Sequence, residues 1–260
     1  MGNPKTYHFK LPPYQGHPLT EPPNSWYPGV QAHHAASTSD RTLRSDGKIR
    51  AFVIHATAGA SSAGAMDVMF SHRASWHWLI PDENEPEHGA RVWACAPERR
   101  AAWHVRNNRS HPEVNSGRKN VNYWSLGMEI VNTQVGDPFS DWQVKQAATL
   151  VRYAWSKYPE LVDVVSHAKL DPQRRSDPGA HFPWDRFREL VLAPTPVVPA
   201  PTPIVVEPIQ VIDPDGQQID CDPHLSDGVI VVEPRALIER LGFRVEYIDG
   251  PPTTMRILRG

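Results

Sequence analysis

The chain has 260 residues, 40% of them apolar, with nine Trp and thirteen His, which is room for one sizeable core or for a medium domain and a small one. A formal net charge of −2 removes the electrostatic case for nucleic-acid binding. The two cysteines, Cys95 and Cys221, outline neither a disulfide framework nor a CxxC site.

The opening stretch MGNPKTYHFKLPPYQG lacks the apolar core of a signal peptide. No apolar run approaches the ~18 residues of a membrane span. The expectation is a protein made in the cytoplasm, without membrane insertion, that reaches an external target only after release. Residues 1–48 are polar and rich in Pro and His, and read as an N-terminal arm with little regular structure.

Residues 49–192 alternate strand and helix patterns. IRAFVIHATAG is a short apolar run ended by Gly, as a buried strand would be. SSAGAMDVMFSHR follows as a helix. SWHWLIP, ARVWACA and WSLGMEIVN are aromatic and β-branched runs of strand length. SDWQVKQAATLVRYAWSKYP repeats its apolar residues at helical spacing, with Ser140 placed to cap the start and Pro159 after the end. DVVSH is a last strand and PWDRFRELVLA a last helix. Such alternation predicts an α/β fold with a mixed central sheet flanked by helices. Residues 193–208 are Pro-rich and predict an extended linker. All nine Trp precede it, and from residue 204 onward ten acids face five Arg. The composition therefore changes at the linker. Residues 209–260 predict a small α+β unit, with strands near IQVID, GVIVVE, FRVEYID and MRILR and a helix at PRALIERLG.

His55, His77 and His167 all lie in or at the end of apolar runs. A buried strand His is ordinarily a packed, hydrogen-bonded residue. His55 and His167, however, end their strands, and ligands of open α/β sheets gather beyond the carboxyl ends of strands. Asp177, ten residues after His167 in an SDPG turn, adds an anionic oxygen to two imidazoles. Taken alone it is a turn residue. Together the three have the composition of a catalytic zinc site, which takes three protein ligands and leaves a fourth position for water. The same donors suit other divalent ions. Glu129 sits inside LGMEIV on the face opposite Leu126, Met128 and Ile130. A carboxylate there is costly unless paired or functional, and desolvation would raise its pKa toward the range useful for proton transfer.

The stretches VIHATAG, SWHWLIP, AAWHVRNN, NYWSLGMEIVN and VVSHAKLDPQRRSDPGAHFPW occur in that order. Together they resemble the zinc-dependent N-acetylmuramoyl-L-alanine amidases of type 2, the class of AmpD-like enzymes, phage lysozyme-type amidases and peptidoglycan-recognition proteins. The resemblance spans about residues 26–190. It implies a Zn2+ cofactor held by His55, His167 and Asp177, with Glu129 as the catalytic acid and base. It puts Arg175 where the family commonly has a catalytic Lys; Arg keeps the charge but cannot give up a proton. It puts Trp76 where phage-type members carry a Tyr, and His104 at a pocket position near the substrate; both are candidate substrate-binding residues. The implied partner is peptidoglycan or its muropeptides.

DGVIVVEPRALIERLGFRVEYID resembles the repeat of copper-amine-oxidase N-terminal-like, or stalk, domains. That implies wall targeting or self-association, and no copper, since no ligand cluster is present. The leading expectation is a phage or prophage lytic amidase. The alternatives are a cytoplasmic amidase recycling anhydro-muropeptides and a peptidoglycan-binding protein without hydrolysis. A metal peptidase is a weaker reading, because no HExxH stretch is present.

Overall fold

The computed structural model describes residues 2–20, 24–29 and 37–194, and beyond them strands between 211 and 259. The chain divides into two compact units, Met1–Thr195 and Pro196–Gly260.

In the first unit nine strands are described in chain order: β1 (His8–Lys10), β2 (Asn24–Trp26), β3 (Thr38–Asp40), β4 (Ala51–Ala56), β5 (Trp78–Ile80), β6 (Val92–Ala94), β7 (Arg100–Ala102), β8 (Ser125–Ile130) and β9 (Asp163–Ser166). Seven form one mixed sheet in the order β1-β9-β4-β8-β5-β6-β2. The inner four, β9, β4, β8 and β5, run parallel. β1 closes one side antiparallel to β9, and β6 turns antiparallel to β5. The expected mixed α/β sheet is thus the observed fold. β3 and β7 pair separately.

Among the described residues the α-helices are α1 (Ser62–Phe70), α2 (Asp141–Lys157), α3 (His167–Leu170) and α4 (Trp184–Leu192). α2 begins at Ser140 as its sequence predicts, because Ser140 and Gln143 cap each other reciprocally in a capping box. Its apolar stripe, including Val144, Ala147, Leu150, Val151 and Ala154, packs with α4 on one face of the sheet. There it meets Phe52, Ile54, Leu126, Met128 and Ile130. Each such side chain, fully buried, contributes about 1.5–3 kcal/mol before conformational entropy is counted. The opposite face carries two smaller clusters. One is built around Met66, Met69, Leu79 and Trp93 under α1. The other holds Ala51, Val53, Val121, Trp124 and Val165.

The N-terminal arm differs from its expectation. Tyr7, Phe9 and Leu11 alternate as a strand's inner face does, and all three are buried in the main core. Tyr7 stacks on Trp184 with ring centroids 4.8 Å apart. Pro and His around them mask that alternation in the sequence. Arg41, also in the arm, is buried, and its guanidinium donates to the carbonyls of Glu98, Asn122 and Ser125.

In the second unit the described strands form three antiparallel pairs: β10 (Val211–Ile212) with β11 (Gln218–Ile219), β12 (His224–Ser226) with β13 (Val229–Val231), and β14 (Phe243–Ile248) with β15 (Thr254–Arg259). The helix expected at PRALIERLG lies outside the described residues, as do Cys221 and residues 195–208 of the linker expected at 193–208. Cys95 is a buried free thiol. Among the described residues no helix is long and apolar enough to cross a membrane.

Candidate metal and active site

The register of the parallel strands decides where the site forms. His55 on β4 stands beside Glu129 on β8. Ile54 stands beside Ser166 on β9, so the next residue, His167, emerges next to His55 at the carboxyl edge. His167 does not end the strand, as its sequence suggests, but opens α3. Ser166 caps that turn by accepting the Lys169 N–H at 3.1 Å. Asp177 returns to the same place because its carbonyl accepts the Ala168 N–H at 3.0 Å.

Three donor atoms then converge. His55 Nδ1 lies 3.0 Å from His167 Nδ1 and 3.1 Å from Asp177 Oδ2, and His167 Nδ1 lies 3.0 Å from the same oxygen. All three side chains are buried. The three atoms lie at hydrogen-bonding distance from one another, and the same convergence offers three donors to a single cation. The near-equilateral triangle is slightly tighter than the roughly 3.3 Å between neighbouring donors of a tetrahedral zinc with bonds of about 2.0–2.1 Å. The donor set therefore fits zinc. Among the described residues it is the one group of three His, Cys or acidic side chains placed to hold a metal.

The electrostatics point the same way. Burial and the neighbouring His167 push the His55 pKa down to about 4, against the pull of Asp177. Burial pushes the Asp177 carboxyl up, but the two imidazoles outweigh it and hold that carboxyl well below the usual carboxylate range. These shifts hold His55 and Asp177 in the unprotonated state that metal binding requires. Burial, then the charge of Asp177, lifts the Glu129 carboxyl well above its ordinary value, with Arg175 pulling it back.

A groove of about 720 Å³ leads to the site, lined among others by Trp103, His104, Tyr123, His167, Arg174 and Arg175. Arg175 is exposed along it, and its loop is held by the Arg175 N–H donating to the Asp171 carbonyl at 3.0 Å. Asp171 is fully buried, between Arg109 at 3.2 Å and Arg174 at 2.9 Å, which braces the segment from His167 to Asp177.

Of the two residues expected at the substrate, one lies away from the groove and one lines it. Trp76 is buried in the cluster with Met66, Leu79, Trp93 and Cys95, so its indole gives the groove no surface. The covering helix α1, not the local sequence, decides that. His104 lines the groove, yet it is only 7% exposed, and both its ring nitrogens are taken inside the protein. Its Nδ1 lies 3.0 Å from His55 Nε2 and its Nε2 3.2 Å from Ser125 Oγ. Trp78, Trp93 and Trp124 are core residues, whereas Trp103 is 39% exposed in the groove and donates Nε1–H to Ser39 Oγ at 2.9 Å.

His77 has the ordinary packed role that its place in an apolar run suggests, whereas Gln134 and Ser125 are supporting residues that the sequence does not single out. His77 is buried in β5's approach, where its Nδ1 accepts the Gly127 N–H at 3.0 Å. Burial, then Arg41, pushes its pKa down to about 3, so it is a neutral structural His. Gln134 donates to the Ala56 carbonyl at 3.0 Å and accepts from Ser176 Oγ at 3.1 Å, tying the end of β4 to the Asp177 loop. Ser125 and Gly127 share a face with Glu129 by strand alternation, which is the signal that could have marked them.

The sequence pattern of the family described as N-acetylmuramoyl-L-alanine amidase, amidase 2, matches residues 45–180. Over 161 residues the chain is 28% identical to the N-acetylmuramoyl-L-alanine amidase AmiD of Escherichia coli, covering 57% of this chain and 55% of that protein. Over 120 residues it is 32% identical to the 1,6-anhydro-N-acetylmuramyl-L-alanine amidase AmpD of Salmonella typhimurium, covering 46% of this chain and 58% of that one. It thus spans little more than half the length of these relatives. A solved structure of a selenomethionine AmpD derivative shares the fold at 21% identity and a TM-score of 0.51, covering 68% of this chain and 99% of that one. Family pattern, sheet and converging side chains agree: the chain belongs to the amidase 2 family of N-acetylmuramoyl-L-alanine amidases.

Proposed function

We propose that the chain is a zinc-dependent amidase that hydrolyses the bond between the lactyl group of N-acetylmuramic acid and L-alanine. The carrying observation is the 3.0–3.1 Å triangle of His55, His167 and Asp177 with the half-buried Glu129 on the neighbouring strand, its carboxyl raised above its ordinary value. His55, His167 and Asp177 would hold the zinc. The chemistry a bound zinc supplies is Lewis acidity, polarising the amide carbonyl and lowering the pKa of water. Glu129, on the strand next to His55, takes the proton of the attacking water. Its raised pKa makes it a competent base and then a competent acid for the departing alanine nitrogen. The carbon–oxygen bond forms, the carbon–nitrogen bond breaks, and a lactyl carboxylate and a free amine result. Arg175, exposed on the groove, offers a fixed positive charge to the oxyanion and takes no part in proton transfer.

The name of the AmpD relative favours a 1,6-anhydro-muropeptide as substrate, and so the recycling reading over the phage lytic one. The C-terminal unit is proposed as a stalk-like accessory element on its sequence pattern, with self-association readable by sedimentation of the full chain.

The test is product analysis by mass spectrometry, with chelator and zinc add-back, on anhydro-muropeptides and on intact peptidoglycan. The expected result is stem peptide with a free L-alanine amino terminus from the anhydro-muropeptide, lost with chelator and in Glu129→Ala. Efficient release from intact walls alone would return the lytic reading. No release from either would leave a binding protein.

A further inference from the structure

The family resemblance places His104 near the substrate, yet the structure commits it elsewhere. His104 is held from three sides. The N–H groups of His104 and Val105 both donate to Asn122 Oδ1, at 3.2 and 2.8 Å, and Asn122 Nδ2 donates back to the Val105 carbonyl at 2.7 Å. The ring lies flat against the backbone of β8. A Cβ at Gly127 would stand 2.7 Å from His104 Nδ1 and 2.9 Å from two ring carbons, so that position must be glycine. Asn122, Ser125 and His104 are all buried.

The hydrogen bonds around this ring have one consistent direction. The Val121 carbonyl can only accept, and Ser125 Oγ lies 2.8 Å from it, nearer than its other partner. The Ser125 hydroxyl therefore donates to Val121. Its oxygen is left to accept from His104 Nε2–H at 3.2 Å. A neutral imidazole has one donor and one acceptor nitrogen. His104 Nδ1 must then accept, and the group 3.0 Å away is His55 Nε2–H. With its proton on Nε2, His55 has its lone pair on Nδ1, the atom that meets His167 and Asp177.

We infer that His104 is a positioning residue: the chain Val121 carbonyl, Ser125, His104 fixes the tautomer and ring plane of His55, so that Nδ1 is presented to the metal. This rests on the zinc reading proposed above. It explains the spacing of AAWHV and NYWSLGMEI without a substrate contact. One strand face supplies Ser125 to end the chain, Gly127 to admit the ring, and Glu129 for the chemistry. Outer-shell partners of metal-bound His generally act in this way.

The experiment measures zinc affinity by competition with a chromophoric chelator, on the full chain and three variants. An Asn side chain puts a carbonyl oxygen near the former Nδ1, whereas a Gln side chain puts its amide near the former Nε2. His104→Leu fills the space and offers no acceptor. The inference expects His104→Asn to bind zinc within about threefold of the parent. His104→Leu and His104→Gln should lose on the order of 10–100-fold. A merely space-filling role would favour Leu and give Asn no advantage, so Leu equal to the parent, or Asn no better than Leu, overturns the inference. A parent that binds no zinc overturns the metal reading and this one with it. Nitrogen NMR of the parent protein decides the matter should the variants fail to fold. His104 protonated on Nε2 alone supports the relay, and protonation on Nδ1 refutes it.

Discussion

β4 and β8 each have two faces, and the two could hardly differ more. On one, Phe52, Ile54, Leu126, Met128 and Ile130 pack under α2 and α4. On the other stand His55, near the carboxyl end of β4, and Ser125, Gly127 and Glu129 along β8. Neighbouring residues in sequence thus serve opposite ends. The first face rests on apolar area and tolerates a change of shape only at a cost in stability. The second buries polar groups that gain little stability and are kept in place by one another. The apolar face holds the strands still enough for a triangle of donors 3.0–3.1 Å apart to form at their carboxyl edge.

Adjacent substitutions on β8 should break this pairing cleanly. Glu129→Gln should lower kcat/KM by about 10²–10⁴-fold, while its melting temperature stays level or rises because a desolvated acid is gone; steady-state kinetics and calorimetry on one preparation check both. Met128→Ala, one residue away, should do the reverse. It should cost about 2–5 kcal/mol in denaturant unfolding, with activity per folded molecule retained. Loss of activity in Met128→Ala without loss of stability would erase the distinction between the faces. Gly127→Ala should fall between them. Its Cβ meets the His104 ring, so we expect a loss of about 1–3 kcal/mol together with weaker zinc binding. The smallest effect should come from Arg175→Lys, which keeps the charge at an exposed position; activity within a fewfold of the parent is expected, whereas Arg175→Ala should fall by about 10²-fold.

The same two faces explain what could be read from the sequence. The apolar face is legible because alternation and helical spacing are local signals. Leu126, Met128 and Ile130 declare it, as do Ser140 and the stripe of α2. The proposed ligands are legible too, since His55 and His167 stand at the ends of apolar runs and Asp177 sits in a turn. What was hidden depends on partners far along the chain. Trp76 is aromatic in either setting, and only α1 lying over it makes it core. Tyr7 and Phe9 look like part of a loose arm until β9 offers an open edge. His104 looks like a groove residue because its loop is one; its commitment inward follows from Gly127, more than twenty positions later, having no side chain. Asp177 reads as a candidate ligand in its turn, but Gln134, which ties its loop to β4, lies outside every stretch that carries the resemblance.

The most direct test of the account is the zinc content of the purified full chain after loading and exhaustive dialysis, measured by plasma mass spectrometry beside His167→Ala. The account predicts one zinc per chain in the parent and none retained in the variant, with the variant still folded by circular dichroism. No zinc in the parent, or equal zinc in both, would contradict the claim that this face of the sheet is built to hold a metal.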